Sequence, residues 1–195
     1  MIASRDELRA VLAQDARANN RATVRPRPFR SGEEIWLFLR LLRRLEYYSS
    51  FSGWKRRLWL PWALWTRLRF KRLSVRLNYT IPLNVCGPGL SLAHVGTIVI
   101  SNRARVGANC RIHEGVTIGA TNGSDLAPRI GNNVFLGAGA KVIGDIEIAD
   151  DVCVGANAVV VKSVTEPGIT VGGVPARKIS GRNSHANLAP GLGLK

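Results

Sequence analysis

Between Pro88 and Val161, aliphatic residues recur at every sixth position. They are Ile100, Val106, Ile112 and Ile118, then, after a break, Ile130, Leu136, Val142, Ile148, Val154 and Val160. A second series of small or branched residues lies four places after these, at Ala104, Cys110, Val116, Val134, Ala140, Ile146, Val152, Ala158 and Val164. Glycine often follows the first position, as at Gly107, Gly119, Gly131, Gly137 and Gly155. Six is the period of neither an α-helix nor an isolated strand. It is the hexapeptide repeat of a parallel β-helix, in which three hexads close one triangular coil and residues about eighteen apart stack. The aliphatic positions then point inward as ladders, and glycine stands where the chain turns and a side chain would clash.

Charge divides the chain in two. Residues 1–80 hold 18 of the 28 Lys and Arg but six of the 13 acids, a net +12, together with all five tryptophans. The remainder is +3. The expected organisation is a basic, Trp-rich α-helical region over 1–77, a β-helix over 78–180 with a loop extruded at 119–129, and a flexible tail over 181–195. No run of eighteen apolar residues offers a membrane span. The N-terminus carries Arg5, Asp6, Glu7 and Arg9 where a secretory signal would be apolar, so a cytoplasmic protein is expected. Cys86, Cys110 and Cys153 lack metal-ligand spacing and read as small buried residues in a reducing compartment.

Within the first region, Ser4 and Glu7 read as a capping box opening a short helix to residue 18, with Leu8, Val11 and Leu12 as its apolar stripe. A loop with Pro26, Pro28 and Gly32 follows, and Ser31 caps a second helix from Glu33 to Ser49. That helix is too apolar for one face alone, which predicts packing between helices or subunits. Residues 54–72 combine Trp54, Trp59, Trp62 and Trp65 with a run of Lys and Arg. Pro61 should start or kink a helix there, and Trp62, Trp65, Leu68 and Phe70 should share a side. Such a segment reads either as an interfacial membrane helix, which would place the protein peripherally on the inner face of the membrane, or as a subunit-packing helix with a solvated basic face. No base-reading motif accompanies the charge, so a nucleic-acid partner is not expected.

Two places break the repeat. Counting back in sixes from Ile100 puts His94 on an inward position reserved for aliphatics. Residues 119–129 lack an inward pair, and loops on such scaffolds often carry function.

The segment Gly89-Leu90-Ser91-Leu92-Ala93-His94-Val95-Gly96-Thr97-Ile98-Val99-Ile100 resembles the histidine-bearing motif of serine acetyltransferases. The run from Ile130 to Lys141 and the ending Gly172-Gly173-Val174-Pro175-Ala176-Arg177 are similar to that family's later coils, although both are common to hexapeptide acyltransferases. The resemblance covers about residues 78–180; residues 1–77 do not obviously match the family's helical domain. It implies an all-β, left-handed parallel β-helix with an N-terminal α-helical region, and acetyl-CoA-dependent transfer to a hydroxyl without a metal. By the same resemblance His94 is the general base, a role suited to a neutral imidazole. The assembly it implies is a homotrimer or higher oligomer, with the site between neighbouring β-helices.

The sequence departs from that family in two places. The aspartate expected about fifteen residues before His94 is Tyr79, and the histidine expected before Pro128 is Ala127. The coil period offers a substitute, since His113 and Glu114 should stack one rung from His94. Glu114 would orient an imidazole, and His113 would contact the acceptor or act as base itself. The other reading puts both on a solvated face. Asp125 is a candidate acceptor contact. By resemblance, Ala138, Gly139 and Ala156 leave room for coenzyme A, and Lys162, Arg177 and Lys178 supply charge for its phosphates. The acceptor is a small hydroxyl compound, serine in the family's reaction and a sugar or surface polysaccharide in the alternative. A non-catalytic β-helix scaffold at a membrane surface is the remaining reading.

Overall fold

The computed structural model describes residues 2–25, 33–121 and 125–194. Its centre is a left-handed parallel β-helix made of three sheets. The first sheet stacks Tyr79–Thr80, Ile98–Ile100, Thr117–Gly119, Lys141–Ile143 and Val159–Val160. The second stacks Arg105–Val106, Arg129–Ile130 and Glu147–Ile148, and the third stacks Ser91–Leu92, Arg111–Ile112, Phe135–Leu136, Cys153–Val154 and Thr170–Gly172. An antiparallel strand, Arg177–Ser180, closes the third sheet. The hexad aliphatics are the inward ladders: Ile112, Ile118, Leu136, Val142 and Val154 are fully buried. Pairings such as Ile130 with Ile148 and Val142 with Val160 show the eighteen-residue coil. Ile118 pairs with Val142 and Ile112 with Leu136, so the coil with the extruded loop is six residues longer.

One corner of the helix is built on residues that tolerate left-handed backbone. Asn109, Asn133 and Asp151 have φ of 57°, 55° and 61°. Their side chains form a hydrogen-bonded ladder, Asn109 donating to Asn133 at 2.9 Å and Asn133 to Asp151 at 3.0 Å. Gln14 donates to Asn109 at one end, and the His185 ring lies 2.8 Å from Asp151 at the other. The tail after Gly181 is therefore docked, contrary to the expected looseness. Ser184 is fully buried, and Leu188 and Ala189 pack inside.

Helix α1, Arg5–Ala18, starts as the sequence predicts: the Glu7 amide donates to the Ser4 hydroxyl, and the Glu7 carboxylate accepts from the Ala3 amide. Helix α2, Glu33–Ser49, buries residues on most of its circumference because it runs between α1 and helix α3, Gly53–Leu77. The proline-containing loop and Ser31 lie outside the described residues. Pro61 does not start α3, which begins eight residues earlier and passes through it. Phe70 is also not on the side of Trp62, Trp65 and Leu68: it stacks on Phe38 of α2 at 4.9 Å, while those three are exposed.

The helices are pinned to the first coil by buried charge. Arg43 grips Asp15 with two nitrogens at 2.8 and 3.2 Å, reaches Glu46 at 3.0 Å, and donates to the carbonyls of Cys86 and Gly87. Asp15 also accepts from the amides of Gly89 and Leu90. Each carboxylate and the guanidinium is thereby satisfied, which is the condition for burying them.

Candidate active site

The chain climbs the β-helix in a fixed order of sheets, so turns made at the same step stack along one edge. The edge between the third and first sheets carries the turn at 94–96, then residues 113–115, 138–139 and 156–157. His94, His113, Glu114, Ala138, Gly139 and Ala156 therefore all fall on one edge.

His94 does not point inward. Leu92 takes the inward slot and pairs with Ile112, so this coil is twenty residues long and the count of sixes fails across it. The two extra residues form the turn that turns His94 out to an exposed position. The two imidazoles then meet edge to face, their centroids 5.5 Å apart. His113 rests against Phe135 at 5.0 Å. Gly96, at φ +149°, lies so close that a β-carbon there would come within 2.9 Å of the Glu114 β-carbon. This glycine lets the His94 turn lie on Glu114.

One ring nitrogen from each of His94 and His113 and one carboxylate oxygen of Glu114 all lie within 4.8 Å of one another. The Glu114 carboxylate stands 3.9 Å from His113 Nδ1, and its buried Oε2 has no hydrogen-bond partner among the described residues. A buried acceptor left this way draws a donor, whether a rotated imidazole or a bound hydroxyl. Burial, then the positive Arg111, hold the His113 pKa below its ordinary value and keep the ring neutral. The backbone is fixed from both sides: the His113 amide donates to the Leu136 carbonyl, the Tyr79 hydroxyl donates to the His94 carbonyl at 2.6 Å, and Lys141 Nζ donates to the Gly115 carbonyl. Tyr79 thus stands below the His94 turn where the resemblance expects a carboxylate. Its clue in the sequence was its spacing from His94.

Further along the same edge, the Gly139 amide donates to the Glu114 carbonyl at 2.8 Å and so is committed to the coil. Gly139 has φ +73°, and a β-carbon there would collide with the Asn157 side chain. Ala138 is half-buried and Ala156 exposed. Lys162 lies past the first sheet, and Arg177 and Lys178 lie in the closing strand; all three are exposed. Lys178 is held by Glu166 at 2.5 Å. Asp125 is on another edge, between the first and second sheets, where it pairs with Arg103. Its neighbours Asn122, Gly123 and Ser124 lie outside the described residues.

A family profile for the bacterial transferase hexapeptide (six repeats) matches residues 127–162. The serine acetyltransferase of Mycobacterium tuberculosis is 43% identical over 100 residues, covering 50% of this chain and 43% of that protein. That of Escherichia coli K12 is 38% identical over 109 residues, covering 54% and 40%. The crystal structure of serine acetyltransferase from Brucella abortus aligns with TM-score 0.66 and 26% identity, covering 92% of this chain and 72% of that one. The chain is similar to serine acetyltransferases in sequence over about half of its length and in fold over nearly all of it. It spans less than half the length of these two curated relatives. The structural likeness extends beyond 78–180, since 92% coverage requires the helices too. The likeness in fold thus takes in helices of the N-terminal region.

Proposed function

We propose that the chain is an acetyl-CoA-dependent O-acetyltransferase of the serine O-acetyltransferase type. The observation that carries this reading is the convergence of His94, His113 and Glu114 on the edge that also bears Ala138, Gly139 and Ala156. His94 is the base. It takes the proton of the acceptor hydroxyl as the oxygen attacks the thioester carbonyl, and the tetrahedral adduct collapses with loss of the coenzyme A thiolate. The imidazolium returns its proton to that sulfur, leaving an acetyl ester and a free thiol. Glu114 steadies the imidazolium formed, and His113, kept neutral, holds the acceptor oxygen. The small residues leave that edge open to the coenzyme, with Lys162, Arg177 and Lys178 as countercharges; Arg177 and Lys162 contribute more, because Lys178 has a partner. No metal is needed. Solved relatives support this reading, being a complex with coenzyme A from Brucella abortus and one with serine from Neisseria gonorrhoeae.

A sugar hydroxyl is the second reading for the acceptor. It is favoured by the altered loop, where Ala127 is buried at the position of the histidine that by resemblance helps form an amino-acid pocket, and by the tryptophan-rich basic helix. Asp125 lies on a different edge of the same β-helix, so it would reach an acceptor only across a subunit boundary, as a trimer with sites between neighbours allows. The reading places the enzyme in the cytoplasm, where acetyl-CoA is available. Thiol release from acetyl-CoA against serine, homoserine and a panel of sugars tests it. Release with serine supports the first reading and release with a sugar the second, while none with any acceptor overturns both.

A further inference from the structure

We infer that α3 is a docking surface for an anionic lipid bilayer, on which it lies in the plane of the interface. The helix is 25 residues long, roughly 37 Å at the usual rise. Its inner side, with Thr66, Phe70, Leu73 and Leu77, is covered by the body of the protein. Its outer side is unusually apolar. Trp54, Leu58, Pro61, Trp65 and Leu68 follow one another at alternating spacings of four and three residues, a single stripe, with Trp62 and Leu64 beside it. All seven are exposed, Trp54 at 69%, Leu68 at 59% and Trp62 at 58%. Isolated apolar side chains on a surface are ordinary, but a contiguous stripe of tryptophan and leucine marks an interaction site.

Charge selects the partner. The helix carries Lys55, Arg56, Arg57, Arg67, Arg69, Lys71, Arg72 and Arg76, all exposed, and the sequence has no Asp or Glu from residue 47 to residue 113. A second copy packed on this stripe would set Arg57, Arg69 and Lys71 against identical cations, with Arg72 in the seam and no carboxylate on the helix to offset them. An anionic bilayer accepts both features: acyl chains take the stripe, the headgroups take the cations, and indole rings favour the boundary between them. The guanidinium of Arg69 lies 4.7 Å over the Trp65 ring, so charge and aromatic surface are already joined. A cleft of about 430 Å³ opens beside the helix, lined by Tyr48, Trp59 and Leu64 together with Arg56 and Arg67, a lining suited to an anionic amphiphile. None of the described helices is long and apolar enough to cross a membrane, so the contact is peripheral.

The test is sedimentation of the full chain with vesicles of phosphatidylglycerol and phosphatidylcholine, against vesicles of phosphatidylcholine alone, at low and high salt. The expected result is binding to the anionic vesicles, a blue shift of tryptophan emission, and loss of binding as salt is raised. W62E/W65E should abolish binding, and R69Q/R72Q should weaken it by about fivefold for each charge removed. Both variants alter exposed positions and should keep the wild-type melting temperature. Failure of the wild-type chain to bind anionic vesicles at low salt would overturn the inference, as would binding that ignores both variants. A fall in molar mass with W62E/W65E in light scattering, without vesicle binding by the wild type, would assign the stripe to a second copy instead.

Discussion

The Tyr79 hydroxyl donates to the main-chain carbonyl of His94 at 2.6 Å, from a ring that meets Phe38 edge to face at 5.1 Å. Phe38 in turn stacks on Phe70, so both long helices bear on the residue that supports the His94 turn. Burial, and then the negative charge of Glu114, raise the Tyr79 pKa to about 12, so the hydroxyl remains a donor across the working range. Tyr79→Phe should cost about 1 kcal/mol of stability, the usual net value of one such bond. Because the bond sets the height of the His94 turn, turnover should fall while the KM for acetyl-CoA is unchanged. Steady-state kinetics beside urea denaturation check this, and an unchanged kcat would mean that the turn holds itself.

His94→Ala should retain coenzyme A affinity and lose about 10²–10⁴-fold in turnover, the usual contribution of a general base. Glu114→Gln should lose less, since it steadies the charge and does not take the proton. His113→Ala separates the two imidazoles: a loss equal to that of His94→Ala would assign the base to His113. Coenzyme A titration and melting curves of each variant distinguish lost chemistry from lost fold.

The depressed pKa of His113 has a sign that can be followed. Unfolding returns this ring to about 6.5, so the unfolded chain binds the proton more readily. The stability it contributes is full above about pH 6.5 and is lost as pH falls through the lower folded value. The melting temperature of the wild type should therefore drop more between pH 7 and pH 5 than that of His113→Gln. Parallel curves would show that the ring is not depressed.

Light scattering at micromolar concentration should give at least a trimer, because Asp125 and His94 lie on different edges of one β-helix and the proposed site spans two copies. A monomer with full activity would remove Asp125 from consideration.

The β-helix was legible because its period is written by inward aliphatics that tolerate nothing else: Ile112, Leu136 and Val154 stand where the count of sixes puts them. His94 was misplaced by that same count, since a two-residue insertion at a corner leaves no mark in composition and Leu92 is as good an inward residue as any. That His113 and Glu114 neighbour His94 was legible from stacking alone, with an eighteen-residue step landing close to a twenty-residue coil. The asparagine ladder and the docked tail were not legible, because Asn109, Asn133, Asp151 and His185 look polar and solvated until the coil aligns them. Nor was the role of Arg43 and Asp15, whose partnership depends on how α2 crosses α1.

That pair yields the last prediction. Arg43 and Asp15 are both essentially inaccessible to water, and Asp15 holds the amides of Gly89 and Leu90 that lead into the His94 coil. Removing the guanidinium strands two buried carboxylates, Asp15 and Glu46, and breaking one side of a buried ion network costs about 3–5 kcal/mol. Arg43→Met should therefore lower the urea midpoint strongly and raise hydrogen exchange over residues 84–92. Arg43→Lys keeps the charge but loses the planar fork that serves two carboxylates and two carbonyls at once, so its urea midpoint should fall between those of the wild type and Arg43→Met. The triple change Arg43→Met, Asp15→Leu, Glu46→Leu removes every stranded charge but leaves the amides of Asn84, Gly89 and Leu90 without acceptors. It should recover part of the loss and no more. Full recovery would show that the network is replaceable by packing, and that the helices are held to the first coil by Phe38 and its neighbours alone.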